Sequence, residues 1–162
     1  MTIETLSAIA PIATLFGVLL AVRQLRLTKQ QANTTFEDQL AAEYRQLARL
    51  IPVPVFLGEQ PPHDRCSEIR EYIYNYIDLS NEQVFLRKIG RVRKNTWQYW
   101  QTGIESNLSK SMFRTLWEEL KEKEPDLFTE LQELEEKDFD SDPFTWRRNG
   151  FRIIACWLRG KG

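Results

Sequence analysis

An all-α fold is what this sequence predicts, and three observations predict it. Apolar residues recur at spacings of three and four through most of its 162 residues, as helices with one buried stripe require. No stretch shows the period-two alternation of a half-buried strand. Residues 5–22 read T-L-S-A-I-A-P-I-A-T-L-F-G-V-L-L-A-V without a charge, and Arg23, Arg26 and Lys29 follow at once. The reading is an N-terminal transmembrane helix that continues into a small cytoplasmic helical bundle. Residues 1–35 form the anchor and juxtamembrane helix, and residues 36–162 form the all-helical domain.

The span is carried by Leu6, Ile9, Ile12, Leu15, Phe16, Leu19, Leu20 and Val22. A membrane helix needs roughly 17–25 largely apolar residues, so this run is at the short end. Pro11 and Gly17 are tolerated in lipid better than in water. Positive charge lies only on the C-terminal side, which by the positive-inside rule places the rest of the chain in the cytoplasm. The expectation is therefore a single-pass protein of the cell inner membrane. A cleaved signal peptide fits poorly, because Glu4 is the first charge and Arg23 stands where cleavage belongs. A buried helix of a soluble domain is the other alternative, and such helices are usually shorter or carry a polar face.

Leu15, Val18, Val22, Leu25, Lys29, Ala32 and Phe36 keep the a/d spacing of a coiled-coil seam. One helix that leaves the bilayer and pairs with copies of itself is one reading, with Lys29 setting register. An ordinary amphipathic helix suits so brief a run, with its weak seam residues, at least as well.

Phe36, Leu40, Tyr44, Leu47 and Ile51 continue the helical stripe, which Pro52 and Pro54 end. Gly58 and the Gln60-Pro61-Pro62 run mark a loop. A helix resumes near Asp64 with Ile69, Tyr72, Ile73, Tyr76 and Ile77 inward. Ser80-Asn81-Glu82-Gln83 has the spacing of a capping box and predicts a fresh short helix, stopping around Gly90. Asn95 caps the next, which carries Trp97, Trp100, Ile104 and Leu108. Ser109 opens another with Met112, Phe113, Leu116, Trp117 and Leu120 inward. Pro125 is placed at the first position of an acidic helix with Leu127, Phe128, Leu131 and Leu134. Asp142-Pro143 starts a last turn, which Gly150 breaks.

The formal net charge of −1 exerts no overall pull toward nucleic acid. Cys66 and Cys156 are too few for a disulfide scaffold, and a single histidine, His63, excludes a catalytic His pair or a multi-His metal site. Glycine-rich phosphate loops, nucleophile elbows and HExxH motifs do not occur. No cofactor and no catalytic residue is expected.

Three constellations remain. Asp138, Asp140 and Asp142 open like a calcium loop, but Pro143 replaces the required glycine and Asn149 the bidentate glutamate. A polar linker capping the next turn is the better reading. Arg87, Lys88, Arg91, Arg93 and Lys94 form a basic cluster beside Trp97, Tyr99 and Trp100. It suits an anionic surface or single-stranded nucleic acid, or is a solvated face beside core tryptophans. From 143 to 162, five cations without an acid interleave with aromatic and aliphatic residues. That segment either lies in a membrane interface or docks on the bundle against the acidic helix. The glutamates and lysines between 118 and 137 read as exposed helices with local ion pairs.

The N-terminal span, F-E-D-Q-L-A-A-E-Y-R-Q-L from Phe36, Y-N-Y-I-D-L-S-N-E-Q-V-F-L-R from Tyr74, W-Q-Y-W-Q-T-G-I from Trp97 and F-R-T-L-W-E-E-L from Phe113 resemble a class of small bacterial membrane-anchored helical proteins, classed as domains of unknown function. The resemblance implies a single-pass helical protein and supplies neither substrate nor active site. The functional expectation is a non-enzymatic interaction or scaffold module. Its partners would be the lipid bilayer and either copies of itself or another membrane protein. The alternative is a small regulatory or sensor subunit that binds a ligand or nucleic acid through its basic cluster.

Overall fold

The computed structural model describes residues 3–61 and 63–146, with side chains described for 14–61 and 64–146. Along the chain come α1 (Ile3–Leu50), α2 (Val53–Phe56), a 3-10 turn (His63–Arg65), α3 (Cys66–Lys88), α4 (Lys94–Leu108), α5 (Ser111–Lys123) and α6 (Thr129–Glu135). No strand occurs among the described residues, so the fold is all-α. The chain divides into two compact units, Met1–Asp38 and Gln39–Gly162.

In the first unit Leu15, Phe16, Val18, Leu19, Leu20 and Val22 are all exposed. Leu6, Ile9 and Ile12 lie outside the residues whose side chains are described. Among the described residues no helix is long and apolar enough to cross a membrane.

In the second unit α3 is the central element, packing against α4, α5, α6 and the 3-10 turn. Ile69, Ile73, Ile77 and Val84 are fully buried along its inner stripe. A connected series of rings ties the elements together. Tyr76 meets Tyr44 of α1 at 6.1 Å and Phe113 of α5 at 5.3 Å between centroids, and Phe113 meets Phe56 of α2 at 5.7 Å. Phe128 bridges Trp117 and Tyr74 on the other side. Trp97, Trp117 and Phe113 are wholly enclosed.

Several expected helix boundaries move. The capping box at Ser80 does not start a helix, because α3 runs through it without a break. The buried stripe continues past Ser80 without an interrupting residue, and the Ser80 hydroxyl donates to the Tyr76 carbonyl one turn back at 2.8 Å. Asn81 does act as a cap, but on another helix. Its Oδ1 accepts the Leu131 backbone N–H of α6 at 3.0 Å, an amide that also donates to the Phe128 carbonyl at 3.0 Å. Asn95 and Ser109 are not caps either, since α4 and α5 start after Arg93 and Lys110, neither with a side-chain cap. Pro125 precedes α6 in a turn, and Phe128 with φ 57° leads into the helix. Tertiary packing of Phe128 between Trp117 and Tyr74 holds that left-handed residue in place.

Gly90 ends α3 as expected. Its φ of 81° lets the Arg91 N–H donate to Leu86 O and its own N–H donate to Arg87 O, at 2.9 and 3.0 Å. This is the paired closure of a Schellman motif. Asp142 also behaves as expected. Its carboxylate accepts the Phe144 N–H at 3.1 Å, and helix begins at Pro143. The basic segment after Trp146, with Gly150, Cys156 and Trp157, lies outside the described residues.

Candidate functional site

The basic cluster is divided by the fold. Arg87 is buried, with its guanidinium turned inward. Its Nε donates to Asp142 Oδ1 at 2.7 Å, Nη2 to Oδ2 at 2.5 Å, and Nη1 to the Val92 carbonyl at 2.8 Å. The Phe144 ring lies 5.2 Å away. Burial pushes the Asp142 carboxyl up, but hydrogen bonds from Arg87 and from the Phe144 amide outweigh it and hold it below its usual value. Lys88 donates to Glu130 and Glu133 of α6 at 2.7 and 3.2 Å. Arg87 and Lys88 therefore belong to internal ion pairs, while Arg91, Arg93 and Lys94 are exposed. The cluster is not one open surface.

The acidic helices are likewise more than solvated faces. Glu135 accepts the Trp117 indole N–H at 2.8 Å, Lys121 Nζ at 2.9 Å and Arg114 Nη1 at 2.5 Å. Burial pushes its carboxyl up, and these donors together bring it below the ordinary glutamate value. Glu119 joins α5 to Arg70 of α3. Bonds from Lys123 first and Arg70 second hold its carboxyl at about 2. Of the three aspartates spaced like a calcium loop, Asp138 terminates α6 with φ 52° and Asp142 is engaged by Arg87. Among the described residues no group of three or more His, Cys, Asp or Glu stands together as a metal site.

A different place combines a cleft with polar and aromatic side chains. Between α1, α3 and α4 lies a cleft of about 570 Å³, within the range of small-molecule sites. Tyr44 and Arg45 border it from α1, Tyr76 and Gln83 from α3, and Tyr99, Trp100 and Gly103 from α4. Their grouping follows from helical spacing. Tyr76 and Gln83 are seven apart, two turns on one face of α3, and Tyr99 and Gly103 are one turn apart on α4.

The polar groups of the cleft differ in state. The Tyr76 hydroxyl accepts from Asn107 Nδ2 at 2.9 Å, and burial pushes its pKa to about 12. It is a fixed neutral phenol rather than an acid–base group. Gln83 is only 5% exposed, and its carboxamide has no hydrogen-bond partner among the described residues. Its atoms are not sealed off, as the indole nitrogen of Trp97 is, but border the cleft. Gly103 adds space on the α4 side, since a Cβ built there meets nothing within 4 Å. Arg45 and Tyr99 stand exposed at the rim.

Sequence reading missed this cleft because Gln83 looked like part of a cap and Trp100 like core. Trp97 is core as expected, whereas Trp100, three residues on, is half-buried at the cleft. No family model, curated protein or solved structure matches the chain.

Proposed function

We propose that this chain is a non-catalytic interaction module, held at the cytoplasmic face of a membrane by its N-terminal helix. The observation that carries this reading is the exposure of large apolar side chains around that helix. At 100° per residue, Leu15, Phe16, Val18, Leu19, Leu20 and Val22 spread over an arc of about 200°. Phe16 is 63% and Leu20 64% exposed. Such surface is unfavourable in water at about 25 cal/mol per Å². The uncharged run reaches back to Thr5, and Arg23, Arg26 and Lys29 supply the cytoplasmic flank. The resemblance to small membrane-anchored bacterial proteins implies the same placement.

Extraction of membranes from cells producing the full chain tests the anchor. Retention in the pellet after carbonate and high-salt washes is expected, and release by either overturns the reading. Crosslinking in the same membranes is expected to capture a second copy or a membrane protein partner. A strictly monomeric, partner-free chain would contradict the display role. The alternative receptor site on the basic cluster is weakened, because Arg87 and Lys88 are already bound to Asp142, Glu130 and Glu133.

A further inference from the structure

We infer that the cleft between α1, α3 and α4 binds a nucleotide, with the base among its aromatic side chains and its edge read by Gln83. This goes beyond the membrane-display reading and does not depend on it, since every residue involved lies in the Gln39–Gly162 unit.

Three observations converge. The Gln83 carboxamide is buried, without a protein partner, and borders the cleft. A carboxamide offers one acceptor and one donor side by side, and a base edge such as adenine N6 and N7 offers the complementary pair. Aromatic side chains share the lining with Ala41, Thr102 and Ser106, Tyr44 and Trp100 in the cleft and Tyr99 exposed at its rim, and aromatic faces stack on bases of any sequence. Arg45 at the rim is a cation suited to a phosphate. Gly103 fits the same account. A glycine inside a helix is unfavourable by propensity, and here it borders the cleft with open space beside it that a large side chain would occupy. An apolar helix of a partner protein is the competing occupant. It satisfies its own backbone groups, so it would cover the aromatic side chains and leave Gln83 unmatched.

The test is calorimetric titration of the detergent-solubilised full chain with AMP, GMP, CMP and UMP, with adenosine and ribose 5-phosphate as controls. Saturable one-to-one binding of AMP is expected, weaker binding of adenosine, and none of ribose 5-phosphate. Gln83→Met, close in shape but without the amide, is expected to lower AMP affinity about tenfold or more, with the thermal midpoint unchanged or raised. Gly103→Leu is expected to abolish binding while the protein stays folded, and it decides the matter if Gln83→Met fails to fold. The inference is overturned if none of the four nucleotides binds saturably, or if ribose 5-phosphate binds as tightly as AMP. Wild-type affinity in either folded variant also overturns it.

Discussion

Arg87 and Asp142 are 55 residues apart in the chain, yet the guanidinium grips both carboxylate oxygens, at 2.7 and 2.5 Å. The pair fastens the end of α3 to the turn at Pro143, and the arginine side chain is 8% exposed. Removing one partner of such a pair strands the other charge away from water. Asp142→Ala is therefore expected to destabilise the protein by about 3 kcal/mol, read from denaturant midpoints. Arg87→Met combined with Asp142→Leu should recover most of that loss. An additive double variant would show that the two side chains are not coupled.

Acid should unfold this protein through its carboxylates. Glu133, Glu135 and Asp142 have folded-state pKa values below their ordinary 4.5, 4.5 and 3.8. In each, burial raises the value and the bonds from cationic partners outweigh it. A depressed folded value means that the stabilisation is complete above the ordinary value and is lost as pH falls through the folded one. Urea midpoints are expected to hold level above about pH 5 and decline below it. Glu135→Gln should lower the plateau and flatten the decline. An unchanged slope would remove Glu135 from the account.

Two glycines should respond in opposite directions to alanine. Gly103 lies within α4 with open space beyond it, so Gly103→Ala is expected to stabilise by about 1 kcal/mol from helix propensity. Gly90 has φ 81°, and a Cβ there would approach the Phe144 ring at 2.9 Å. Gly90→Ala is expected to destabilise by about 1–2 kcal/mol from the left-handed backbone, with any displacement of Phe144 adding to it. Thermal melts of the two variants check both signs.

The membrane proposal makes a local prediction at Leu19. A charge near the centre of a spanning helix costs about 2.5–3.5 kcal/mol on insertion scales. Leu19→Arg is expected to shift the protein toward the soluble fraction after carbonate extraction, while Leu19→Ile stays in the pellet. Equal retention of both would argue that the helix does not sit in lipid.

Much of the helical order was legible because helix formation is a local matter. The stripe from Ile69 to Ile77, the stop at Gly90 and the Asp142 turn depend on residues within a few positions of one another. The cap signals at Ser80, Asn95 and Pro125 misled because each is also local, and local preference yields where burial is worth more. Continuous packing carried α3 through Ser80, and Asn81 turned out to serve α6.

By itself, then, the chain's periodicity determined an all-α fold, the core positions of Trp97 and Trp117, and the uncharged character of residues 5–22. Tertiary structure decided which charges are available and where a ligand has room. It withdrew Arg87 and Lys88 into pairs with residues more than 40 positions away, and it left the Gln83 amide beside an aromatic cleft. The reason is physical: a helix face repeats every few residues and can be read along the chain. Partners brought together by packing share no such period, and the availability of a charge depends entirely on them.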